Sequence, residues 1–395
     1  MTTAKSRNPG LDTLRACAIA LVFMTHYDAF VSDRPIFGWL GDVGWMGVDL
    51  FFVLSGYLIA NQLFAGLARG QVLSLPRFYA RRAFRTLPVF WVVLAAFALF
   101  PVAMGGKPPP PWWRFLTFTQ NIGLPPGTAF SHAWSLCVEE QFYLVLPAVL
   151  ALGAWLARGR VALGRAHGWA LMGALVTLGV VARGVLWQTY AHPTPDYGYM
   201  KWIYYDTLCR FDEFIPGVAI AMLKNFHRPT WDRLMARGGL LSAVGAVAVA
   251  AMLTLQHLYY YVDGQGWGFA MTTFGYSLNA WAFALMVAAT LSPNARVLCW
   301  RIPGTPQLAL WSYSIYMSHK SLAMFLGHQL KPLGMSDSAR LAIIALACVA
   351  VGGLLYKLVE APFMALRDRL VPSNFRGGAP APAPLAADAL SQPAG

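Results

Sequence analysis

Two residues that could do chemistry, Arg15 and His26, lie inside an otherwise apolar stretch, LDTLRACAIALVFMTH at 11–26. They are eleven residues apart, close to three α-helical turns, so both side chains project from one helix face about 16 Å apart along the axis. Imidazole titrates nearest to working pH and suits a general base, whereas guanidinium binds anions. Because charged groups in an apolar helix are costly unless they face a wet cavity, this helix is a functional-site candidate.

A second set of polar residues occupies SHAWSLCVEEQFYLVLP at 131–147. His132 and Glu139 are seven residues apart, and Ser135 and Glu139 are four apart, so a helix would place them on one face. Glu139 or Glu140 could fix the tautomer of a catalytic imidazole and stabilise its protonated form. A structural ion pair with a cation of another helix is the alternative.

Basic residues cluster in FYARRAFRTLP at 78–88. Guanidinium groups bind phosphate bidentately, so Arg81, Arg82 and Arg85 suit a polyanionic ligand. The alternative is a topology signal, because the inner loops of most membrane proteins are basic. Both interpretations place this segment at the cytoplasmic surface.

Further polar residues lie in the other apolar segments. WSYSIYMSH at 311–319 contains Ser312, Tyr313 and His319, GVDLFFVLSG contains Asp49, and Arg210 lies beside a short apolar run. The seryl and tyrosyl hydroxyls suit helix-packing hydrogen bonds as well as ligand binding. Together these residues predict a polar core that crosses a helical bundle.

The elements that must position these residues are membrane helices. With 57% hydrophobic and 12% charged residues and a mean hydropathy of +0.49, the chain predicts an all-α, polytopic integral membrane bundle. The aromatic share of 14% fits interfacial belts. The net charge of +13 does not indicate nucleic-acid binding, since apolar runs separate the basic residues. The five cysteines are scattered, so neither a disulfide framework nor a metal site is predicted.

Apolar runs of spanning length predict about ten transmembrane helices around a polar cavity. A cytoplasmic N-terminus gives 20 Lys and Arg in the inner segments and 6 in the outer loops, which satisfies the positive-inside rule. We therefore expect both termini in the cytoplasm. The predicted spans are 11–31, 44–64, 86–104, 134–156, 169–189, 211–224, 238–258, 267–291, 306–329 and 338–360.

One membrane domain is predicted over 11–362, after a cytoplasmic N-terminus at 1–10. Alternating Ala and Pro near the end of the chain is low in complexity, so we expect 371–395 to be a disordered cytoplasmic tail. The longest outer loop, about 105–131, contains a proline run at 108–111. Such a segment is stiff and extended, and is suited to lining or covering a cavity.

In these motifs and their order, the chain resembles the acyltransferase family 3 membrane acyltransferases over most of 11–362. The R-x10-H of that family is present as Arg15 to His26, its second-span pattern as GWMGVDLFFVLSGYLI and its arginine segment as FYARRAFRTLP. Its fourth-span pattern is HAWSLCVEEQFYLVLP, and WSYSIYMSH and YKLVEAP follow near the end. Some members carry an additional hydrolase-like domain, and here we expect the stand-alone form.

The resemblance implies a multi-pass O-acyltransferase of the bacterial inner membrane. It would transfer an acyl group, usually acetyl, from cytoplasmic acyl-coenzyme A to a hydroxyl of an acceptor such as a cell-envelope carbohydrate, without a metal. His26 would be the general base or acyl relay, with His132 a lower-ranked candidate. Arg15 is too far along the helix to reach the same carbonyl, so we expect it to grip the donor or to pair with Asp12.

The remaining candidates divide between donor and acceptor. Arg81, Arg82 and Arg85 would bind the donor phosphates at the inner surface. Side chains expected to contact the acceptor are Asp49, Ser135, Arg210, Tyr313 and His319. The competing hypothesis is a secondary transporter or flippase, in which the buried Arg, His and Glu residues form a relay. Such transporters often contain internal repeats, and no second copy of these motifs is found.

Overall fold

The computed structural model describes residues 8–158, 165–191, 196–295 and 302–376. Its architecture is a bundle of α-helices, as the sequence predicts. The longer helices are α1 (Pro9–Phe30), α2 (Met46–Ala68), α3 (Leu75–Leu99), α4 (Trp134–Arg158), α5 (Arg165–Tyr190), α6 (Ile215–Phe226), α7 (Gly238–Tyr259), α8 (Tyr276–Thr290), α9 (Thr305–Leu330), α10 (Asp337–Leu355) and α11 (Ala361–Leu370).

Shorter elements connect these helices. Short α-helices span Trp39–Val43, Trp112–Leu116, Asp196–Tyr199 and Arg228–Ala236. Turns of 3-10 helix span Ser131–Ala133, Thr207–Cys209, Phe211–Phe214 and Lys331–Leu333, and π-helical turns span Met200–Tyr204, Met271–Gly275 and Tyr356–Glu360. Two antiparallel strand pairs join Val72–Leu73 to Phe375–Arg376 and Tyr261–Val262 to Gly266–Trp267.

In the described part of the chain, six helical segments are long and apolar enough to cross a membrane. They are Met46–Ala68, Leu75–Leu99, Ser131–Leu156, Arg165–Tyr190, Gly238–Tyr259 and Asp337–Leu370. Helices also occupy the other four predicted spans, but α6 has 12 residues and α8 has 15, fewer than the roughly 20 that a span needs. Helices α1 and α9 are longer and carry charged side chains. The chain is a polytopic helical membrane protein, and the count of ten spans stays a prediction.

Helix α2 is the most buried of these six segments, with 61% of its span inside the protein. Two glycines bring it close to α6: a Cβ at Gly56 would lie 2.2 Å from the Phe214 carbonyl oxygen, and one at Gly217 would lie 2.2 Å from the Val53 carbonyl oxygen. Small residues let helix backbones approach closely in membranes. This contact holds α2 in the centre of the bundle.

Helix α9 packs against both α1 and α10. Gly327 in α9 accommodates Val31, which follows α1, and Gly352 in α10 accommodates Ile315 in α9. The close packing of α9 on α1 has a direct consequence for the candidate site. It brings together imidazole rings that are 293 residues apart in the sequence.

The start of the predicted tail packs on the bundle. Phe375 is buried and lies against Gly66 of α2, where a Cβ would have no space. The prediction of disorder is therefore wrong for 371–376, because an aromatic side chain in that segment finds an apolar site. The remainder of the predicted tail, 377–395, and the first residues, 1–7, lie outside the described residues.

Candidate active site

A cavity of about 210 Å³ opens among α1, α2, α3, α4 and α9. We call it the arginine cavity, because Arg15, Arg82 and Arg85 line it. Glu139 and Glu140 line it too, so predicted site residues from three separate motifs meet here. The other polar side chains on its wall are Ser55, Thr86, Ser135, Tyr143, Ser312, Tyr313 and Tyr316.

The guanidinium groups of Arg82 and Arg85 are only loosely paired. Arg82 Cζ lies 3.8 Å from the Tyr143 ring centroid, and Arg82 Nη2 lies 3.9 Å from Glu140 Oε1. Arg85 Nη1 lies 3.7 Å from Glu360 Oε1, and the Arg85 side chain is 33% exposed. Arg82 Nε has no hydrogen-bond partner among the described residues. Both groups therefore keep N–H donors for an anion at the mouth of the cavity.

Arg81 does not belong to this group. Its guanidinium donates to the Val371 carbonyl and lies 3.2 Å from Asp368, and the side chain does not line the arginine cavity. The structure thus places Arg81 apart from the cavity that Arg82 and Arg85 line. Arg81 lies nearer the start of α3, where the carboxy-terminal helix packs against it.

The two carboxylates bond to hydroxyl groups in the same cavity. Glu139 accepts a hydrogen bond from Ser55 Oγ at 2.9 Å, and Glu140 accepts one from Thr86 Oγ1 at 2.9 Å. Neither bonds to an imidazole among the described residues, which corrects the expectation that one of them orients a catalytic histidine. The physical reason is depth: His132 precedes Glu139 by about two helical turns, or about 10 Å along the axis.

Helix α1 directs its two candidate residues into separate cavities. Arg15 lines the arginine cavity, whereas His26 lines a second cavity. The spacing predicted this separation. Asp12 is buried, with 5% exposure, and lines neither cavity. A catalytic role for Asp12 is therefore not supported by its position.

The second cavity has a volume of about 700 Å³ and contains His26, His132 and Lys320. We call it the histidine cavity. Its wall is rich in aromatic side chains: Phe30, Trp45, Trp134, Tyr204, Tyr205, Tyr260, Tyr261, Trp267 and Tyr316. This wall was not predicted from the sequence, in which the aromatic residues were assigned to membrane interfaces. Only tertiary packing gathers them, since they come from six segments of the chain.

Three imidazole rings cluster at the edge of the histidine cavity. The ring centroids of His26 and His319 are 5.0 Å apart, and that of His132 is 6.3 Å from His26 and 5.8 Å from His319. His26 Nδ1 lies 2.7 Å from His319 Nε2. His319 is fully buried and does not line the cavity. We expected His319 to contact the acceptor. In the structure His319 contacts His26 instead.

Contacts with backbone carbonyls show which ring nitrogens of His319 and His26 carry a proton. His319 Nδ1 lies 2.9 Å from the Tyr316 carbonyl and 3.1 Å from the Ile315 carbonyl, which only accept hydrogen bonds, so Nδ1 carries the proton. In a neutral ring His319 Nε2 is then an acceptor, and His26 Nδ1 donates to it. His26 Nε2 is left unprotonated, which is the state a general base needs.

The boundary between the cavities is formed by Tyr316 and Val48, which line both. The Tyr316 hydroxyl donates to the His132 carbonyl at 2.8 Å, and Ser135 Oγ donates to the Tyr316 hydroxyl at 2.6 Å. Ser135 therefore holds the boundary tyrosine in place. It faces the arginine cavity, and not the acceptor side as expected.

Three further predicted acceptor contacts lie elsewhere. Arg210 Nη2 lies 2.7 Å from Asp49 Oδ1 and Arg210 Nε lies 2.5 Å from Glu213 Oε1, with all three side chains fully buried. Asn279 also donates to Asp49, at 2.9 Å. Neither Asp49 nor Arg210 lines either cavity, and their pairing satisfies the need of buried charges for partners of opposite sign. Tyr313 lines the arginine cavity.

The arrangement can bind an anion and remove a proton. Cationic groups line one cavity, and His26, whose Nε2 is unprotonated, lines a second, larger cavity that shares Val48 and Tyr316 with the first. Within the described residues, no group of three or more His, Cys, Asp and Glu side chains could hold a metal ion.

Comparison with known proteins gives consistent results. The acyltransferase domain of acyltransferase family 3 matches residues 8–357. YrhL of Bacillus subtilis, a candidate peptidoglycan O-acetyltransferase, is 27% identical over 375 residues, covering 90% of this chain and 54% of YrhL. Peptidoglycan O-acetyltransferase OatA of Listeria monocytogenes is 30% identical over 248 residues, covering 58% of this chain and 36% of OatA. O-acetyltransferase OatA of Staphylococcus aureus is 32% identical over 161 residues, covering 36% and 24%.

The match extends over nearly all the helices described above. The chain spans about half the length of YrhL and a smaller share of the OatA proteins. No solved structure matches it. Since the family domain covers residues 8–357, from α1 to the end of α10, the chain belongs to the acyltransferase family 3 of membrane acyltransferases.

Proposed function

We propose that this protein is a membrane O-acyltransferase that transfers an acyl group, usually acetyl, from acyl-coenzyme A to a cell-envelope carbohydrate. One observation carries the proposal. The arginine and histidine cavities meet at Val48 and Tyr316, with His26 on the side of the larger cavity. A thioester that reaches this boundary from one cavity would meet a hydroxyl held in the other. The names of the relatives support acetyl transfer to a carbohydrate.

The arginine cavity suits the donor. At about 210 Å³ it is smaller than the roughly 300–1,000 Å³ of sites that enclose a drug-sized ligand, so it fits only the slender pantetheine arm. The nucleotide phosphates would stay at its mouth beside Arg85, whose guanidinium is more exposed than that of Arg82. Arg15 and Arg82 would continue the cationic path inward. Guanidinium groups favour phosphate because they can donate two parallel hydrogen bonds.

The histidine cavity suits the acceptor. Its volume of about 700 Å³ lies within the range of small-molecule sites. Aromatic rings of the wall that keep exposed surface, such as Tyr204 and Tyr261, present flat apolar faces with polar edges. Such surfaces match a sugar ring, whose faces carry C–H groups and whose rim carries hydroxyls. A carbohydrate would thus lie in this cavity with one hydroxyl beside His26.

The proposed reaction has one proton acceptor and one leaving group. The acceptor oxygen attacks the thioester carbonyl carbon while its proton passes to His26 Nε2, and a C–O bond forms. The tetrahedral intermediate collapses as the C–S bond breaks, and the His26 imidazolium returns the proton to the leaving thiolate. His319 Nε2 accepts the His26 Nδ1–H bond throughout, which stabilises the imidazolium. The products are an O-acyl ester and coenzyme A.

Transfer from radiolabelled acetyl-coenzyme A tests this proposal. The purified protein in lipid nanodiscs would be incubated with soluble peptidoglycan fragments or with envelope polysaccharide. We expect His26→Ala to reduce transfer by at least about 10²-fold, since general-base catalysis contributes that much, and to leave coenzyme A binding intact. The matched control is His328→Ala, which changes an exposed histidine of α9 that lines neither of these cavities.

Two results would contradict the proposal. The first is full activity of His26→Ala. The second is an absence of both coenzyme A binding and label transfer with every acceptor, which would favour a transporter, in which the buried charged residues serve a relay.

A further inference from the structure

Lys320 is a cation of the histidine cavity that the proposed reaction does not use. It follows His319 on α9, and its Nζ lies 3.4 Å from Ser131 Oγ and 3.8 Å from the Phe30 ring centroid. The Phe30 ring centroid is also 5.8 Å from that of His26. The ammonium and the candidate base therefore share one aromatic neighbour on the wall of the same cavity.

Lys320 differs from the buried arginines in its partners. Arg183 lies 2.6 Å from Asp212, and Arg210 lies 2.7 Å from Asp49. No carboxylate of the described residues lies within 4.0 Å of Lys320 Nζ. A half-buried charge is costly without a partner of opposite sign, and the space in front of this ammonium is a cavity. An anion that enters the cavity would supply the missing partner.

The other titratable groups on the cavity wall do not neutralise this charge. His26 is neutral in the hydrogen-bond arrangement described above, His132 Nε2 lies 3.1 Å from the Met317 carbonyl, and Asp42 lies 3.3 Å from His257. Asp263 is at the tip of the hairpin that pairs Tyr261–Val262 with Gly266–Trp267. Asp42 and Asp263 are exposed, so water and salt screen their charges. The part of the cavity nearest the candidate base is thus cationic.

We infer that Lys320 makes the histidine cavity selective for an anionic acceptor, a carbohydrate that carries a carboxylate or a phosphate close to the hydroxyl to be acylated. The inference rests on the proposed function. Aromatic faces would stack on the sugar, Lys320 would bind its anionic group, and His26 would take the hydroxyl proton. Three contacts of different chemistry fix the orientation of the sugar, which places one hydroxyl near the thioester.

The test compares three acceptors that share one oligosaccharide: the neutral form, a form with a uronic carboxylate and a form with a phosphate. We expect the wild-type protein to have a kcat/KM at least about tenfold higher for an anionic form than for the neutral form. This factor is what one hydrogen bond to a charged group contributes. Lys320→Met should raise KM for that form by a similar factor and leave the neutral form unchanged. Lys320→Arg, which keeps the charge, should restore the preference.

A matched control separates this role from a structural one. Lys224→Met removes another half-buried lysine, which donates to Tyr57 at 2.9 Å and lines neither cavity, and it should not alter acceptor preference. A preference of the wild-type protein for the carboxylate form or for the phosphate form identifies which anionic group Lys320 binds. Equal transfer to all three forms by the wild-type protein would overturn the inference and leave the proposed function standing. An equal loss on neutral and anionic forms in Lys320→Met would also overturn it, and a wild-type protein that acylates nothing would overturn both.

Discussion

Replacing His319 with methionine tests whether the tautomer of His26 controls the reaction. His319 is fully buried and accepts a 2.7 Å hydrogen bond from His26 Nδ1. A buried donor left without a partner costs about 1–3 kcal/mol, which corresponds to about 5- to 150-fold in an equilibrium. In the variant, His26 would shift by that factor towards the tautomer that is protonated on Nε2 and cannot accept a proton. We therefore expect kcat to fall by a factor of up to about 150, with KM for the donor unchanged.

The assay is single-turnover transfer from radiolabelled acetyl-coenzyme A in nanodiscs. His319→Gln is the matched variant, because its side-chain carbonyl oxygen can still accept from His26 Nδ1, and it should retain more activity than His319→Met. Wild-type kcat in His319→Met would refute the reasoning. Equal losses in both variants, together with a loss of donor affinity, would assign His319 a structural role only.

The remaining predictions concern the donor site, the boundary and the packing. Arg85→Gln should raise KM for acetyl-coenzyme A by about 10- to 100-fold, the effect of losing a hydrogen bond to a charged group, whereas Arg81→Gln should change it little; binding titrations would compare them. Tyr316→Ala should increase release of free coenzyme A without acceptor, because joining the cavities admits water to the thioester. Gly56→Ala should lower the free energy of unfolding by about 1–3 kcal/mol through overpacking, and Gly173→Ala, where a Cβ meets open space, should not; thermal unfolding would compare these two.

The features that the sequence predicts correctly are those set by local geometry. Apolar runs locate the helices, and the helical rise alone separates Arg15 from His26, so that they line different cavities. The same local rule placed Glu139 and His132 on one face, but a shared face does not mean a shared depth. The predicted carboxylate partner of the imidazole was wrong for that reason.

The features that sequence could not reveal depend on distant contacts. The partner of His26 is His319, and packing of α9 on α1 through Gly327 brings it there from 293 residues away. Arg210 and Asp49 looked like ligand contacts by residue type, but they satisfy each other in the core. A charged residue in a membrane segment thus indicates that a polar partner exists, but it does not identify that partner.

We propose that donor and acceptor meet from opposite cavities, and the sidedness of transfer tests this. Proteoliposomes with the protein in one orientation would receive labelled acetyl-coenzyme A on the face of the arginine cavity, with the carbohydrate acceptor sealed on the other face. We expect labelled acceptor on the far side, and none when the donor is placed on the face of the histidine cavity. Labelled product only when donor and acceptor share one face would contradict it.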